Sequence, residues 1–216
     1  MQVWQNMVRQ VGAVSAVNLE ELVDIAAAFY FLPPIMGRRV GIVGGGGGSS
    51  VLAADECEEA GLDVIPLPME IREEMKTAGS PIWDWISNPA DMSIRIDRDW
   101  DVGDMLELMA RNKSFDLLIT FVRGHFNSVE EMASVDNFLK PYRLGKLEDK
   151  PLIAVMEEAR HSVDSNERDD HVSNIEFMEK VKTTLLAAGT PFYPNVGRAA
   201  KALSKMIDYY QRKASR

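Results

Sequence analysis

Short apolar runs alternate with longer amphipathic runs along most of the chain, and this alternation constrains the fold more than any other feature. The apolar runs are rich in Val, Ile, Leu and Phe and have the length of buried strands. They are RRVGIV (38–43), LDVIPL (62–67), FDLLITFV (115–122), PLIAVM (151–156) and TPFYP (190–194). Strands that are apolar on both faces are typical of a parallel sheet covered by helices on both sides.

Most of the runs between these strands have helical spacing. We predict helices over 50–60, 102–111, 128–139, 173–188 and 197–211. The apolar faces of the last two consist of Ile175, Met178, Val181 and Leu185, and of Ala199, Leu203, Met206 and Tyr210. Ser128 is placed to begin the third helix, and Gly61 and Gly189 are placed to end two others. Two polar stretches, 78–101 and 158–172, predict loops.

A further helix, 19–31, precedes the first strand. Asn18 is a suitable N-cap, and Glu21 stands three residues later, where it can close a capping box. Leu22, Val23, Ala26 and Tyr30 form an apolar face, which we expect to pack on the sheet. Pro33 and Pro34 then end the helix.

Composition excludes several classes of partner. The 216 residues carry a net charge of −9, which argues against a nucleic-acid or anionic-membrane surface. The single cysteine, Cys57, cannot form a disulfide within the chain, so we expect a reducing compartment. No apolar run approaches the roughly 20 residues of a membrane span, and the N-terminus lacks the apolar core of a signal peptide. We therefore predict a cytoplasmic protein.

The feature with most chemical content is the run of five glycines from Gly44 to Gly48. It lies at the carboxyl end of the first predicted strand, where open α/β sheets bind ligands, and it leads into a helix. The free amides and dipole of a helix N-terminus attract an anion such as phosphate, and glycine lets the ligand approach the backbone closely. Ser49 or Ser50 can cap the helix and add a hydroxyl donor.

The glycine run has a plainer explanation, which stays open at this point. A glycine-rich turn can simply pack close to its neighbours, and a run of glycines matches G-x-G-x-x-G in several registers. No lysine follows the run, which excludes a Walker A loop.

Four segments together resemble the ADP-forming acyl-CoA (acetyl-CoA) synthetases of the succinyl-CoA synthetase superfamily. They are QVGAVSAVNLEELVDIAAAF, RRVGIVGGGGGSSVLAADECEEAGLDVIPL, SNPADM and AAGTPFYPNVGRAAKALSKMIDYY. The resemblance extends from about Val11 to Tyr210. It implies a flavodoxin-like fold, and the chain resembles only the second of the family's two flavodoxin-like ligase domains.

The resemblance also implies a reaction. The family interconverts acyl-CoA and nucleoside triphosphate through an acyl phosphate and a phosphorylated histidine. Its other parts are a CoA-binding Rossmann domain, the first ligase domain and an ATP-grasp unit. The family's histidine loop lies upstream of the QVGAV segment, so the catalytic histidine is not in this sequence.

The triple glycine of the family corresponds to Gly46, Gly47 and Gly48, and the helix after it points at the phosphoryl group. Gly44 and Gly45 stand where the family often has Thr-Asn, and Ser49 and Ser50 stand where it often has Pro-Gly. The sequence thus predicts a phosphate site formed by residues 44–50.

Four further residues are candidates for the substrate edge of this site. Asn88 and Asp91 match the family's Asn-Pro-x-Asp, although the same pattern also forms turns. Arg123 and His125 follow the strand 115–122 and so reach the same edge of the sheet, although they can equally belong to a solvated loop. Cys57 lies among alanines and is predicted to be a core residue, not a nucleophile. The spacing of His161 and His171 fits no metal site, and no metal is predicted.

The prediction as a whole is an α/β protein with an open parallel, flavodoxin-like sheet flanked by helices. Residues 1–36 form an N-terminal helical lead and residues 37–213 the CoA-ligase domain. The chain would be a domain or subunit of an NDP-forming acyl-CoA synthetase, inactive alone and without a tightly bound cofactor. CoA and ATP or ADP with Mg would be substrates of the full, oligomeric enzyme, whose phosphohistidine, CoA-binding and ATP-grasp parts would be its partners. The alternatives are a stand-alone binding or regulatory module and, less favoured, a flavodoxin proper.

Overall fold

The computed structural model describes residues 7–8, 10–93, 100–122, 134–145, 147, 150–156 and 168–215, with side chains from residue 175 onward in the last range. In these ranges four parallel strands form one sheet in the order of the sequence. They are β1 (Val40–Val43), β2 (Leu117–Phe121), β3 (Leu152–Val155) and β4 (Phe192–Tyr193). Every residue of the first three strands is buried, so the predicted parallel sheet is confirmed.

Helices cover both faces of this sheet. They are α1 (Leu19–Phe31), α2 (Gly47–Glu59), α3 (Met69–Thr77), α4 (Val102–Arg111), α5 (Val135–Leu139), α6 (Arg168–Ala187) and α7 (Val196–Ala214), with a 3-10 turn at Lys140–Tyr142. The buried side chains of α1, α2 and α7 share one apolar cluster, and those of α3 to α6 share the other. Within the described residues, we find no helix with the length and hydropathy needed to cross a bilayer.

Successive side chains along each strand point to opposite faces of the sheet and so contribute to the two clusters in turn. Ile42, Ile119 and Ile153 point to the side of α1, α2 and α7, whereas Val43, Leu118 and Ala154 belong to the cluster of α3 to α6. Burial of the first three strands on both sides explains why their sequences are almost continuously apolar.

Most predicted helix boundaries agree with the structure, and the differences have local causes. The bounds of α4 match the prediction, and Asp101 caps it by accepting from the Asp104 amide at 2.9 Å. The first residue of α6 is Arg168, so part of the predicted 158–172 loop is helical, and Ile175 is 53% exposed instead of buried. Ser134 caps α5, whereas the predicted start at Ser128 lies outside the described residues.

The predicted glycine stops are confirmed. Gly61 and Gly189 have φ of +83° and +74°, a conformation that disfavours a side chain. Their amides donate to Glu58 and Leu186, and the next amides bond one residue further back, to Cys57 and Leu185. This is the Schellman pattern, which satisfies carbonyls at the helix end.

The predicted strand 62–67 is wrong, since only one bridge, between Arg39 and Asp63, pairs it with the sheet. Pro66 has no amide hydrogen and cannot continue a ladder. The prediction also missed α3. Pro68 before this helix, Ile71 and Met75 on one face, and Gly79 after it were the available signals.

The predicted orientation of α1 is wrong as well. Ile25 and Ala28 face the core, whereas Leu22, Val23 and Tyr30 are 53%, 58% and 82% exposed. Ile25 and Ala28 belong to a second apolar stripe on the same helix, because α1 is apolar on nearly all sides.

Polar contacts fix α1 in this orientation. Arg198 of α7 makes a bidentate ion pair with the buried carboxylate of Asp24, at 2.7 and 2.8 Å. Asn18 caps the helix as predicted, at 2.8 Å from the Glu21 amide. The Glu21 carboxylate does not close the predicted box, because it bonds the Val17 amide and the Lys205 ammonium.

Candidate functional site

The glycine run forms a tight turn between β1 and α2. Gly44 and Gly45 have φ of +94° and +81°, and Gly46 is the N-cap of α2 in an extended conformation. Gly47 and Gly48 are then the first two residues of the helix. The predicted helix thus begins earlier than residue 50, and two of the five glycines belong to its first turn.

The five glycines have two different explanations. Gly44 and Gly45 need their positive φ, and a Cβ on Gly45 would lie 3.3 Å from Cδ2 of Phe121. Gly46 and Gly47 have room, because a Cβ there would meet its nearest neighbours at 3.6 and 3.5 Å. For Gly48, no atom of the described residues outside the local helix backbone lies within 4 Å of the Cβ position. Backbone conformation and packing therefore account for the first two glycines but not for the last three.

The N-terminus of α2 is open. Of the described residues, no side chain caps it, and its first turn carries no acidic residue. The predicted cap by Ser49 or Ser50 is wrong, because both residues lie inside the helix, beyond the N-cap Gly46. Ser50 is only 6% exposed, and its hydroxyl has no hydrogen-bond partner among the described residues. Exposed glycines, Gly47 and Gly48, thus lie close in sequence to a buried hydroxyl for which the described residues offer no partner.

Asn88 ties the neighbouring loop to β1. Its amide oxygen accepts from the Ile42 amide at 2.9 Å, and its amide nitrogen donates to the carbonyls of Val40 and Ile65 at 2.9 and 2.8 Å. Two residues later, the Ala90 amide donates to Ile42 at 2.8 Å and the Ala90 carbonyl accepts from Gly44 at 3.0 Å. Asn88 precedes a cis peptide bond to Pro89 and is 8% exposed.

This attachment brings Asp91 and Ser93 to the glycine turn. One oxygen of Asp91 accepts from the amide and the hydroxyl of Ser93, at 2.9 and 2.6 Å. The other oxygen lies 3.5 Å from the position that a Cβ on Gly47 would take, and the Ser93 hydroxyl lies 3.6 Å from that of Gly46. A carboxylate and a hydroxyl thus stand beside the start of α2. Ser93 is not among the residues predicted for this site, although an Asp-x-Ser sequence is a common signal for such a turn.

The end of β2 forms the floor of the site. Phe121 packs under Gly44 and Gly45, and the buried hydroxyl of Thr120 donates to the Val43 carbonyl at 3.2 Å. Arg123 and His125, predicted at this edge, lie outside the described residues. The structure therefore brings together residues 44–50, Asp91 and Ser93, with Asn88 behind them.

Cys57, further along α2, is confirmed as a core residue. It is fully buried, and loss of solvation raises the pKa of its thiol to about 12, with smaller contributions from Glu56 and Glu58. A thiol that stays protonated at neutral pH is a poor nucleophile.

Two curated proteins are similar in sequence. The chain is 26% identical over 208 residues to the alpha subunit of an ADP-forming acetate–CoA ligase I from Pyrococcus furiosus, which covers 95% of the chain and 40% of that subunit. It is 31% identical over 90 residues to an ADP-forming acetate–CoA ligase from Methanocaldococcus jannaschii, covering 42% of the chain and 13% of that protein. The chain thus spans well under half the length of both relatives. No family model matches.

Solved structures share the fold. The apo form of the dinucleotide forming acetyl-coenzyme A synthetase 1 of Candidatus Korarchaeum cryptofilum matches 99% of the chain and 42% of its own, with a TM-score of 0.71 and 18% identity. The complex of that protein with phosphate and ADP matches with a TM-score of 0.69 and 19% identity. The solved structures confirm the predicted fold, and the sequence similarity confirms the predicted resemblance: over nearly its whole length the chain is similar to part of an ADP-forming acetate–CoA ligase subunit.

Proposed function

We propose that the chain is a ligase domain of an NDP-forming acyl-CoA synthetase and that its glycine turn and the start of α2 hold the phosphoryl group during transfer. One observation carries the proposal. Gly47 and Gly48, the first two residues of α2, have neither the backbone conformation nor the crowding that would require glycine. Glycine in the first turn of a helix destabilises it by up to about 1 kcal/mol relative to alanine, so bare backbone there points to a ligand that approaches closely.

The chemistry suits a phosphoryl group. The first-turn amides of α2 have no intrahelical acceptors, and the helix dipole adds partial positive charge at the same end. In this proposal Ser50 supplies one further donor, because its buried hydroxyl has no partner among the described residues. Donors fixed in place before the reaction stabilise developing negative charge without reorganising, which is the basis of electrostatic catalysis.

In the proposed reaction, acid, CoA and ATP give acyl-CoA, ADP and phosphate through an acyl phosphate and a phosphohistidine. CoA and the magnesium complex of ATP or ADP are substrates of the full enzyme, held by its CoA-binding and ATP-grasp parts. Support comes from the relatives, which are named as ADP-forming ligases, and from the Korarchaeum protein, which has been solved with phosphate and ADP. We further propose that the chain alone makes no acyl-CoA, because the phosphohistidine belongs to another domain.

The neighbouring loop has a supporting role in this proposal. Asn88 directs its amide at three backbone groups, so we propose that it positions the loop and does not contact substrate. Asp91 stands beside Gly47 and borders the space where the phosphoryl group would lie. The carboxylate also holds Ser93 beside the glycine turn, and in this proposal its negative charge weakens the binding of highly charged anions.

Phosphate binding by the chain tests the proposal. We expect inorganic phosphate to raise the melting temperature and to give a saturable signal in calorimetric titration, whereas chloride at equal ionic strength does neither. Gly47→Val should abolish binding and keep the fold, because Gly47 is exposed. Thr183→Val, which places an exposed valine on α6 instead, is the matched control. Phosphate binding by the Gly47→Val protein equal to that of the wild type would exclude the proposed site.

Reconstitution of the complete enzyme distinguishes two candidate functions of the chain, a domain of an enzyme and a stand-alone binding module. The chain is mixed with partners that carry the CoA-binding domain, the histidine loop and an ATP-grasp unit, and acyl-CoA is measured. We expect turnover that needs every component and is lost with Gly47→Val. Phosphate binding without complex formation or turnover would instead identify a stand-alone binding module.

A further inference from the structure

Ser93 presents to the glycine turn a hydroxyl oxygen whose proton is already used in a hydrogen bond. Its Oγ lies 2.6 Å from Oδ1 of Asp91, and the same carboxylate oxygen accepts from the Ser93 amide at 2.9 Å. An ionised carboxylate has no proton to give, so the hydroxyl is the donor in this bond. The distance is typical of a charge-assisted O–H···O⁻ bond. Towards any further partner, the Ser93 oxygen can therefore only accept.

The Ser93 oxygen stands beside the start of α2. It lies 3.6 Å from the position that a Cβ on the N-cap Gly46 would take, and Ser93 is exposed. The exposed Gly47 and Gly48 follow this N-cap directly. Ser50 closes the first turn through its amide bond to Gly46, and its buried hydroxyl has no partner among the described residues. The start of the helix thus combines several donors with one neighbouring acceptor.

An acceptor beside these donors distinguishes between tetrahedral anions. Backbone amides and hydroxyl groups donate to any oxyanion, so they do not tell one such anion from another. In mildly alkaline solution inorganic phosphate is the dianion HPO₄²⁻, whose P–OH group can donate to the Ser93 oxygen. Sulfate has the same charge and shape but no proton, so its oxygens would face the lone pairs of Ser93 without a bond. A site built to form a hydrogen bond rejects an analogue that cannot form it.

The Asp91 carboxylate strengthens this distinction through its charge. A hydroxyl that donates to a charged group becomes a better acceptor, because hydrogen bonds in a chain polarise one another. The second oxygen of Asp91 lies 3.5 Å from the position that a Cβ on Gly47 would take. Its negative charge repels every anion at the start of α2, and only an anion that donates a proton to Ser93 recovers part of that loss.

We propose that Ser93 makes the glycine-turn site specific for a protonated oxyanion: hydrogen phosphate binds through a P–OH···Oγ bond to Ser93, and sulfate is rejected. The inference rests on the proposed function, because it concerns the anion held at the same turn. It gives a reason for a carboxylate beside an anion site, since Asp91 keeps the Ser93 oxygen an acceptor. Sulfate cannot form an acyl phosphate, so its rejection keeps the site available for the reacting anion.

Comparison of two dianions tests the specificity. Titration calorimetry at about pH 8 and constant ionic strength gives the Kd of inorganic phosphate and of sulfate. We expect the wild type to bind phosphate at least about tenfold more tightly, the effect of one good hydrogen bond. Arsenate, which keeps one proton at this pH, should bind like phosphate. Equal affinity for phosphate and sulfate would overturn this inference and leave the phosphate site standing, whereas no binding of either anion would overturn both.

Substitutions at residue 93 assign the specificity to one side chain. Ser93→Ala should weaken phosphate binding and tighten sulfate binding, so that the preference for phosphate is lost. Ser93→Thr keeps the hydroxyl at this exposed position and should retain the preference. Ser15→Ala, at an exposed serine before α1, is the matched control, and thermal melts without anion check that each variant is folded. A folded Ser93→Ala protein with the wild-type preference would overturn the proposal.

Discussion

Gly48→Ala is the substitution that best distinguishes two explanations for the glycine at this position. Either the fold requires glycine there, or a bound anion must approach the backbone closely. Gly48 lies in the first turn of α2 and has no positive φ, and the described residues place no atom outside the local helix backbone within 4 Å of its Cβ position. Alanine there should stabilise the unliganded protein by about 0.5–1 kcal/mol, because it restricts the unfolded chain and suits a helix. For a chain of this length, the melting temperature should rise by about 1–4 °C.

The same methyl group should weaken phosphate binding. A helical Cα–Cβ bond tilts toward the N-terminus, so the added carbon points to the side where the anion would lie. Phosphate at 100 times its Kd stabilises the wild type by about 2.7 kcal/mol. If Gly48→Ala weakens binding tenfold, the same concentration stabilises the variant by only about 1.4 kcal/mol.

Thermal melts of both proteins with and without phosphate measure the two effects. Gly44→Ala is the contrasting control, since its φ of +94° should make alanine destabilising by about 1–2 kcal/mol. A Gly48→Ala protein that is less stable than the wild type would show that packing requires this glycine. A phosphate-induced gain equal to that of the wild type would refute close approach of the anion at residue 48.

Three further substitutions test other contacts. Asp24→Ala should destabilise the protein by about 2 kcal/mol in denaturant titrations, because Arg198 would lose its partner but keep partial access to water. A loss below about 0.5 kcal/mol would show that the Asp24–Arg198 ion pair does not hold α1 in place. Burial opposes ionisation of Asp116, but hydrogen bonds from Arg39 outweigh it and lower the pKa of that carboxyl. The Asp116–Arg39 pair therefore stabilises the folded protein fully above about pH 4, and this stabilisation is lost as the pH falls through the lowered pKa. Melts from pH 7 to 2.5 should therefore show the advantage of the wild type over Asp116→Asn shrinking in acid, and a constant difference would refute the linkage. Asp91→Asn should bind inorganic phosphate about fivefold more tightly in titration calorimetry, because loss of the negative charge beside Gly47 relieves roughly 1 kcal/mol of repulsion. Weaker binding would instead assign Asp91 a direct ligand contact.

The parts of the fold that follow from local pattern were predictable. The buried strands β1, β2 and β3, and the glycine stops at Gly61 and Gly189, each depend on a few neighbouring residues. The face of α1 was not predictable, because a helix with apolar residues on every side has no preferred orientation until Asp24 meets Arg198, 174 positions away.

The same distinction holds for the site. The glycine turn and its place at a strand end could be inferred from the order of apolar and helical segments. The start of α2 inside the glycine run could not, since glycine is a weak helix former and Ser49 is a better cap by type. The position of Asp91 beside Gly47 depends on Asn88, which joins segments 48 residues apart through side-chain bonds that no local pattern records.

The hydrogen bonds of Asn88 also protect the edge of the sheet from pairing with strands of other molecules. β1 is the first strand of the described sheet, and an edge strand normally offers unpaired amides and carbonyls to any other strand it meets. Here the outward amides of Val40, Ile42 and Gly44 donate to Asp63, Asn88 and Ala90, and the outward carbonyls of Val40 and Ile42 accept from Asn88 and Ala90. One side chain and two single-residue bridges thus seal the edge without a full neighbouring strand. The arrangement protects an apolar strand from intermolecular aggregation while leaving its carboxyl end open at the glycine turn.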